Sequence, residues 1–394
     1  MSLGALYQAF SFSSPAQIYF GPGKLAELSN LLERYGRNVL LVGLSSQKYF
    51  PKVKLMLRES KKEWRTCSVQ GEPSIASIYR IQKSLGGFVP DLVIAIGGGS
   101  VIDTSKVLAA LATNSGDLLD YLEVVGKGHP LEKRAAPLIA IPTTAGTGSE
   151  VTRNAVLGVP EKKVKVSLRS PFIQAEIALI DPELTLSLPP DTTIFSGMDA
   201  FTQVIEPYVS IKANRFTDML CQDGIRTAVS ALPGVFQNGQ DLHSRTEMSW
   251  VSLLGGLCLA NAGLGAVHGF AAVIGGMFHA AHGAVCASLL PFVIQGNLEA
   301  LRTHGQMESS FYQRYVDIFK IVIGKEYVSI QEGLDWFLKL VHQFHIPCLK
   351  DFGIRKEDFS EIIHQAKNAS SIKANPVVLN DDELFAILDN AYER

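Results

Sequence analysis

The chain has 394 residues, enough for two domains with cores of their own, and its 36 lysines and arginines nearly balance 38 aspartates and glutamates. With no basic stripe or polybasic run, neither nucleic acid nor an anionic membrane surface is an expected partner. Five scattered cysteines (Cys67, Cys221, Cys258, Cys286 and Cys348) form no Cys-x-x-Cys pair and read as reduced thiols; with an N-terminus lacking the basic-then-apolar layout of a leader, they point to a cytoplasmic protein.

The first half alternates short apolar runs with helical patterns. A run at 16–20 ends at Gly21-Pro22-Gly23 and is followed by a helical pattern over 24–35. Strands are expected at 39–42, 92–96, 138–141 and 178–180, with helices over 74–85 and 100–112. Strand-then-helix alternation of this kind specifies a parallel sheet with helices on both faces. After Asp181-Pro182 the pattern changes to helical periodicity alone, over 195–209, 215–231, 249–261, 268–279, 334–344, 359–367 and 381–392. The fold class is therefore an α/β N-terminal domain with a parallel sheet followed by an all-α domain. The boundary falls near 184–190, giving domains of 1–186 and 187–394.

One stretch imitates a membrane span. Between Glu247 and Glu299 there is no Lys, Arg, Asp or Glu, and 269–294 is long and apolar. It is flanked or interrupted by His268, His279, His282, several glycines and Pro291, so two buried helices around a site are the expected structure. Gly275-Gly276 is expected to break the helical run before His279, which is read as structural with a ligand role in reserve.

Two turns carry the chemistry. Gly97-Gly98-Gly99-Ser100-Val101-Ile102-Asp103 follows the strand at 92–96, and Pro142-Thr143-Thr144-Ala145-Gly146-Thr147-Gly148-Ser149-Glu150 follows the strand at 138–141. Glycines let backbone N–H groups approach a phosphate, and the helix that follows adds its dipole. The hydroxyls of Thr143, Thr144, Thr147 and Ser149 suit a pyrophosphate, a ribose and a carboxamide. Asp103 is placed to cap the helix or to accept from a ribose or amide.

The ordered pair GGGSVIDTSK and IPTTAGTGSE, with Ile18-Tyr19-Phe20-Gly21-Pro22-Gly23, Ile180-Asp181-Pro182, Asp199-Ala200-Phe201 and Ala374-Asn375-Pro376, resembles the iron-containing (group III) alcohol dehydrogenase family over nearly the whole chain. The resemblance implies a dinucleotide-binding α/β domain, a helical metal-binding domain and an active site in the cleft between them. It implies hydride transfer between NAD(P)H and a small aldehyde, ketone or alcohol, a divalent Fe²⁺ or Zn²⁺ polarising the carbonyl, and a homodimer. By that resemblance Gly97, Gly98, Gly99 and Ser100 hold the pyrophosphate, Thr143, Thr144 and Thr147 line the nicotinamide half, and Lys165, otherwise one of several lysines in a solvated loop, reaches the ribose.

Enzymes that prefer NAD often carry an acid after an early strand. Here 39–42 is followed by Gly43-Leu44-Ser45-Ser46, so Leu44 stands in the acidic place and Ser45, Ser46 and Lys48 are available to a 2′-phosphate. These residues favour NADP over NAD.

Asp199 and Gln203 lie four apart on one helix and share a face. In the family pattern an Asp and a His occupy those places and two later histidines complete a metal site. Asp199, His268 and His282 match, as metal ligands and catalytic residues, while Gln203 replaces the first histidine as a weak fourth ligand or a partner for a metal-bound water. Two histidines and a carboxylate suit either Zn²⁺ or Fe²⁺. Ala272, four past His268, stands where many relatives carry a further histidine, which removes a proton relay at that place.

Other readings compete. Arg153, beside Asn154, would suit an acidic carbonyl substrate bearing a carboxylate or phosphonate, set against a salt-bridged or cofactor-facing arginine. A dehydroquinate-synthase-like cyclase shares the expected fold but needs cationic residues near its metal histidines, and 250–298 has none. A metal-poor, weakly active cofactor-binding protein would follow from Gln203 and Ala272.

Overall fold

The computed structural model describes residues 9–44, 46, 48–162, 164–278 and 280–393. They form two compact units, one of 14–188 and one of 189–393 together with 9–13.

The α/β unit contains β1 (Gln17–Phe20), α1 (Leu28–Leu32), β2 (Asn38–Gly43), α2 (Phe50–Glu59), β3 (Glu63–Ser68), α3 (Ile75–Leu85), β4 (Leu92–Gly97), α4 (Gly99–Leu111), α5 (Leu118–Tyr121), β5 (Leu138–Pro142), β6 (Asn154–Val159), β7 (Val164–Arg169) and β8 (Ile177–Ile180). Six strands make one parallel sheet in the order β1-β8-β5-β4-β2-β3. Alternation along each strand builds two cores. Leu40, Val42, Val93, Ala95, Leu138 and Ala140 face one layer, and Val39, Leu41, Ile94, Ile96, Ile139 and Ile141 face the other. Burial on both faces is why these strands read as unbroken apolar runs.

From β2 the chain moves outward to β3, then returns to place β4 on the other flank of β2. The reversal of strand order between β2 and β4 is the kind of place where α/β sheets bind ligands, beyond the carboxyl ends of their strands.

Three strands escape the sequence patterns. β3 is an edge strand of sequence EWRTCS, mostly exposed, so it lacks an apolar run. β6 and β7 form a separate antiparallel pair, which puts Lys165 on a strand rather than in a loop. Helix α2 was likewise not marked by the patterns.

The helical unit contains α6 (Pro190–Val209), α7 (Arg215–Gln237), α8 (Leu242–Ala262), α9 (Ala266–Phe278), α10 (His282–Thr303), α11 (Ser310–Ile323), α12 (Ile330–Gln343), α13 (Phe359–Asn368) and α14 (Asp381–Tyr392). Helix α6 is buried almost continuously from Gly197 to Val209. The apolar stretch divides into α9 and α10, and α9 turns by 100° from α8. Gly275-Gly276 does not interrupt α9, which runs on to Phe278, because its inner face is packed along most of its length. Helix α10 is long and apolar enough to cross a membrane, yet 83% of its apolar window is buried in the protein, as in a core helix.

Candidate functional site

In the α/β unit the two turns are brought together by strand register. Gly97 pairs with Pro142 at the ends of β4 and β5, and Thr143 N–H donates to the Gly97 carbonyl at 3.0 Å. Helix α4 starts at Gly99 with no side-chain cap on its first turn, leaving the backbone donors of a helix N-terminus for an anion. A Cβ at Gly99 would lie 2.9 Å from the Thr147 side chain, so the two turns approach closely only because residue 99 is glycine. Thr143 is buried, Thr144 and Ser100 are half-buried, and Thr147 is exposed.

Other predicted cofactor residues have partners inside the unit. Asp103 does not cap α4: one carboxylate oxygen accepts from Ser149 Oγ and the other from Val156 N–H at 2.9 Å. Ser149 Oγ also accepts from Lys106, whose buried ammonium donates to it at 3.1 Å, to Thr152 Oγ1 at 2.9 Å and to the Asn154 carbonyl at 2.8 Å. This network joins α4 to the second turn and to β6. Burial draws the Lys106 pKa down to about 8 against the opposing pull of Asp103 and Glu150. Burial also raises Glu150 to about 7, with a backbone hydrogen bond and Lys106 opposing it. Lys165 pairs with Glu72 Oε1 at 2.7 Å, and Arg153 is exposed at the start of β6. Leu44 is half-buried directly after β2, at the strand-order reversal, and Ser46 and Lys48 are exposed. Ser45 lies outside the described residues, as does His279.

In the helical unit a donor cluster forms from three helices. Asp199 and Gln203 come from α6, His268 from the first turn of α9, and His282 from the first residue of α10. Gly283 makes this possible, since a Cβ there would lie 2.2 Å from the Phe195 carbonyl oxygen of α6. Asp199 Oδ1 lies 3.2 Å from His268 Nε2 and 3.8 Å from His282 Nε2.

Two residues of this cluster were missed by sequence reasoning. Glu206 continues the Asp199–Gln203 face of α6 by one further turn. Its Oε1 accepts from Val267 N–H at 2.7 Å and its Oε2 meets His268 Nδ1 at 2.6 Å. Asn375 Oδ1 accepts from Ala266 N–H at 3.1 Å, so remote side chains satisfy the first turn of α9 and hold His268 in place. The second missed residue is Cys286, one turn beyond His282, with its sulfur 3.7 Å from His282 Nε2. The i, i+7 spacing of Asp199 and Glu206 and the i, i+4 spacing of His282 and Cys286 were both readable signals.

The donor set fits a cation. A carboxylate beside His268 Nδ1 puts the ring proton on that nitrogen, so in the neutral ring Nε2 turns a lone pair toward Asp199 Oδ1. Two lone pairs at that distance call for a proton or a metal between them. The Gln203 carbonyl oxygen, close by, is buried without a hydrogen-bond partner among the described residues. The electrostatics agree. Burial opposes charge on His268, but Cys286, Glu206 and Asp199 together hold its pKa well above the usual value. Burial likewise opposes charge on His282 and is outweighed by Cys286 and Asp199. Burial works to raise Asp199, but His282, His268 and Gln203 keep its carboxyl below the usual range. One ligand atom each from Asp199, His268, His282 and Cys286 lies within 4.8 Å of all the others.

A parallel α/β unit with two phosphate-type turns, followed by a helical unit carrying a carboxylate–histidine cluster, is the layout of a metal-dependent, nicotinamide-linked dehydrogenase. The family model for iron-containing alcohol dehydrogenases matches residues 15–182, and that for the C-terminal part of the Fe-containing alcohol dehydrogenase family matches 193–392. The chain is 32% identical to alcohol dehydrogenase 4 of Saccharomyces cerevisiae, over 97% of its own length and 98% of that protein's. It is 31% identical to the NADPH-dependent butanol dehydrogenase of Clostridium saccharobutylicum, over 97% of each. A solved 1,3-propanediol oxidoreductase superposes with a TM-score of 0.88 at 30% identity, over 98% of this chain and 100% of that one. The chain therefore belongs to the iron-containing alcohol dehydrogenase family, and it is an NAD(P)-linked oxidoreductase acting on CH–OH groups.

Proposed function

We propose that this enzyme interconverts small aldehydes or ketones and their alcohols with NADP(H), using a divalent cation, Fe²⁺ or Zn²⁺, held by Asp199, His268 and His282. The observation that carries the reading is the convergence of Asp199 Oδ1, His268 Nε2 and His282 Nε2 from three separate helices, with Glu206 fixing the proton of His268 on the far nitrogen. When bound, the nicotinamide gives or takes the hydride and the cation acts as a Lewis acid on the substrate oxygen.

The chain's own residues do the rest. The α/β unit, proposed as the dinucleotide domain of 1–186, offers the uncapped start of α4 at Gly97–Ser100 for the pyrophosphate and Thr143, Thr144 and Thr147 for the nicotinamide half. The helical unit, proposed as the metal and substrate domain of 187–394, orients its donors through Glu206 and Asn375. Ala272 supplies no proton donor, so no proton relay would run through that position. The donor cluster weighs against the metal-poor alternative.

The preference for NADP rests on Leu44, which leaves the end of β2 without the carboxylate that would repel a 2′-phosphate. The similarity to an NADPH-dependent butanol dehydrogenase of C. saccharobutylicum supports the same preference.

The test is oxidation of reduced nicotinamide, followed by absorbance, with apo, Zn²⁺-loaded and Fe²⁺-loaded protein and a panel of neutral and acidic small aldehydes. Metal-dependent NADPH oxidation is expected. Leu44→Asp is expected to shift the NADPH:NADH ratio of kcat/KM toward NADH by about tenfold or more, the scale of a like-charge contact. Turnover that is indifferent to metal would overturn the metal role, and an unchanged ratio would overturn the role of Leu44.

A further inference from the structure

We propose that Cys286 is a metal ligand, so that the cation is held by Asp199, His268, His282 and the Cys286 thiolate, with Gln203 outside the ligand set. The inference rests on the metal reading above and deepens it.

A tetrahedral cation with nitrogen, oxygen and sulfur donors at ordinary bond lengths sets those donors about 3.3–3.6 Å apart. The structure places His268 Nε2 3.2 Å from Asp199 Oδ1, His282 Nε2 3.8 Å from the same oxygen, and Cys286 Sγ 3.7 Å from His282 Nε2. These separations are close to those of one coordination shell. Cys286 reaches it because it lies four residues after His282 on α10, on the same helical face. Its side chain is fully buried, so the thiol is sequestered beside the cluster rather than offered to solvent.

Gln203 has a different place. Its amide group hydrogen-bonds Asp199. Its carbonyl oxygen lies against the α8 backbone, 3.3 Å from where a Cβ of Gly255 would stand. Gln203 is thus a positioning residue for Asp199, and the thiolate supplies the fourth donor that a histidine at 203 would otherwise give. A thiolate brings a full negative charge where an amide brings a dipole. Thiolate with two imidazoles is the softer set, which selects Zn²⁺ or Co²⁺ over oxygen-preferring Mg²⁺ and Mn²⁺. Binding releases the thiol proton to solvent, and no redox step is involved.

Cobalt tests the assignment directly. Metal-free full-length protein is titrated with Co²⁺, with bound metal measured by elemental analysis and the electronic spectrum recorded. The expected result is one Co²⁺ per chain with a near-ultraviolet thiolate-to-cobalt charge-transfer band. The band should vanish in Cys286→Ser and persist in Gln203→Ala, and Cys286→Ser should bind Zn²⁺ at least tenfold more weakly. One Co²⁺ per chain without the band in the unmutated protein would overturn the Cys286 assignment and leave the metal reading standing. Failure to bind Co²⁺ and Zn²⁺ at all would overturn both. If Cys286→Ser does not fold, the spectrum of the unmutated protein decides alone.

Discussion

The α/β unit and the helical unit each bury a cluster of charged side chains, and the two clusters follow opposite rules. Around Lys106 the charges are paired within the protein: three acceptors take the three ammonium hydrogens, and each oxygen of Asp103 accepts one hydrogen bond, from Ser149 Oγ and from Val156 N–H. Around Asp199 potential ligand atoms converge: two imidazole nitrogens and a carboxylate oxygen face one another. A buried charge that is fully satisfied by its neighbours is scaffold. One that is surrounded by like-disposed lone pairs is built for a ligand, because leaving those groups buried and unpaired is costly. In this network Asp103 and Ser149, which look like cofactor ligands in sequence, tie α4 to the second turn and to β6.

The largest expected effect separates the clusters at Asp199. Asp199→Ala should remove bound metal and lower kcat/KM by about 10³-fold or more, since Lewis-acid stabilisation is worth several kcal/mol and each 1.36 kcal/mol is tenfold in rate. Metal analysis and the nicotinamide assay check this, and full metal occupancy in the variant would refute it.

Lys106→Met should do the reverse. It strands the buried Asp103 and should cost about 3–5 kcal/mol, as when one partner of a buried ion pair is removed. Urea unfolding measures the loss, and metal content per folded molecule should be unchanged. Adding Asp103→Asn should recover part of the stability. A Lys106→Met protein of ordinary stability would mean that the network is not scaffold.

Glu206→Gln sharpens the comparison from the other side. It keeps the shape but weakens the orientation of His268, and metal affinity should fall about 10–100-fold, the usual effect of changing a group that orients a ligand. Competition with a chromophoric chelator gives the value, and an unchanged affinity would show that Glu206 only caps α9.

The smallest effect is in pH. Glu150 titrates near 4.5 when unfolded and at about 7 when folded, so between those values the folded state binds the extra proton. Its contribution is complete below pH 4.5 and is lost as pH rises to about 7. Lys106, drawn down to about 8, acts in the opposite sense, and stability is regained as pH climbs from about 8 toward 10.5. Chemical unfolding at intervals of pH should show the decline between pH 4.5 and 7, and Glu150→Gln should flatten it. A decline of equal slope in that variant would assign it elsewhere.

Much of this protein is written in local sequence. The apolar runs at β2, β4, β5 and β8 mark strands because burial on both faces leaves no room for polar residues. The glycine turns at 97–99 and 142–150 follow those strands directly, so a strand–turn–helix signal a few residues long suffices to find them. Asp199, His268 and His282 were located by their family pattern. The edge strand β3 and the β6–β7 pair were not legible, because strands that are half exposed or paired only with each other need no apolar run.

What tertiary structure alone decided is which side chains meet. Lys106 was one more residue of α4 until folding set it against Ser149, Thr152 and Asn154. Glu206 became the partner of His268 across 62 residues of chain. Cys286 joined the cluster because α10 comes close to α6 at Gly283. Periodicity reports which face of an element is buried, but it carries no information about what stands opposite that face; satisfaction of a buried polar group depends on atoms distant in sequence, and only packing brings them within bonding distance.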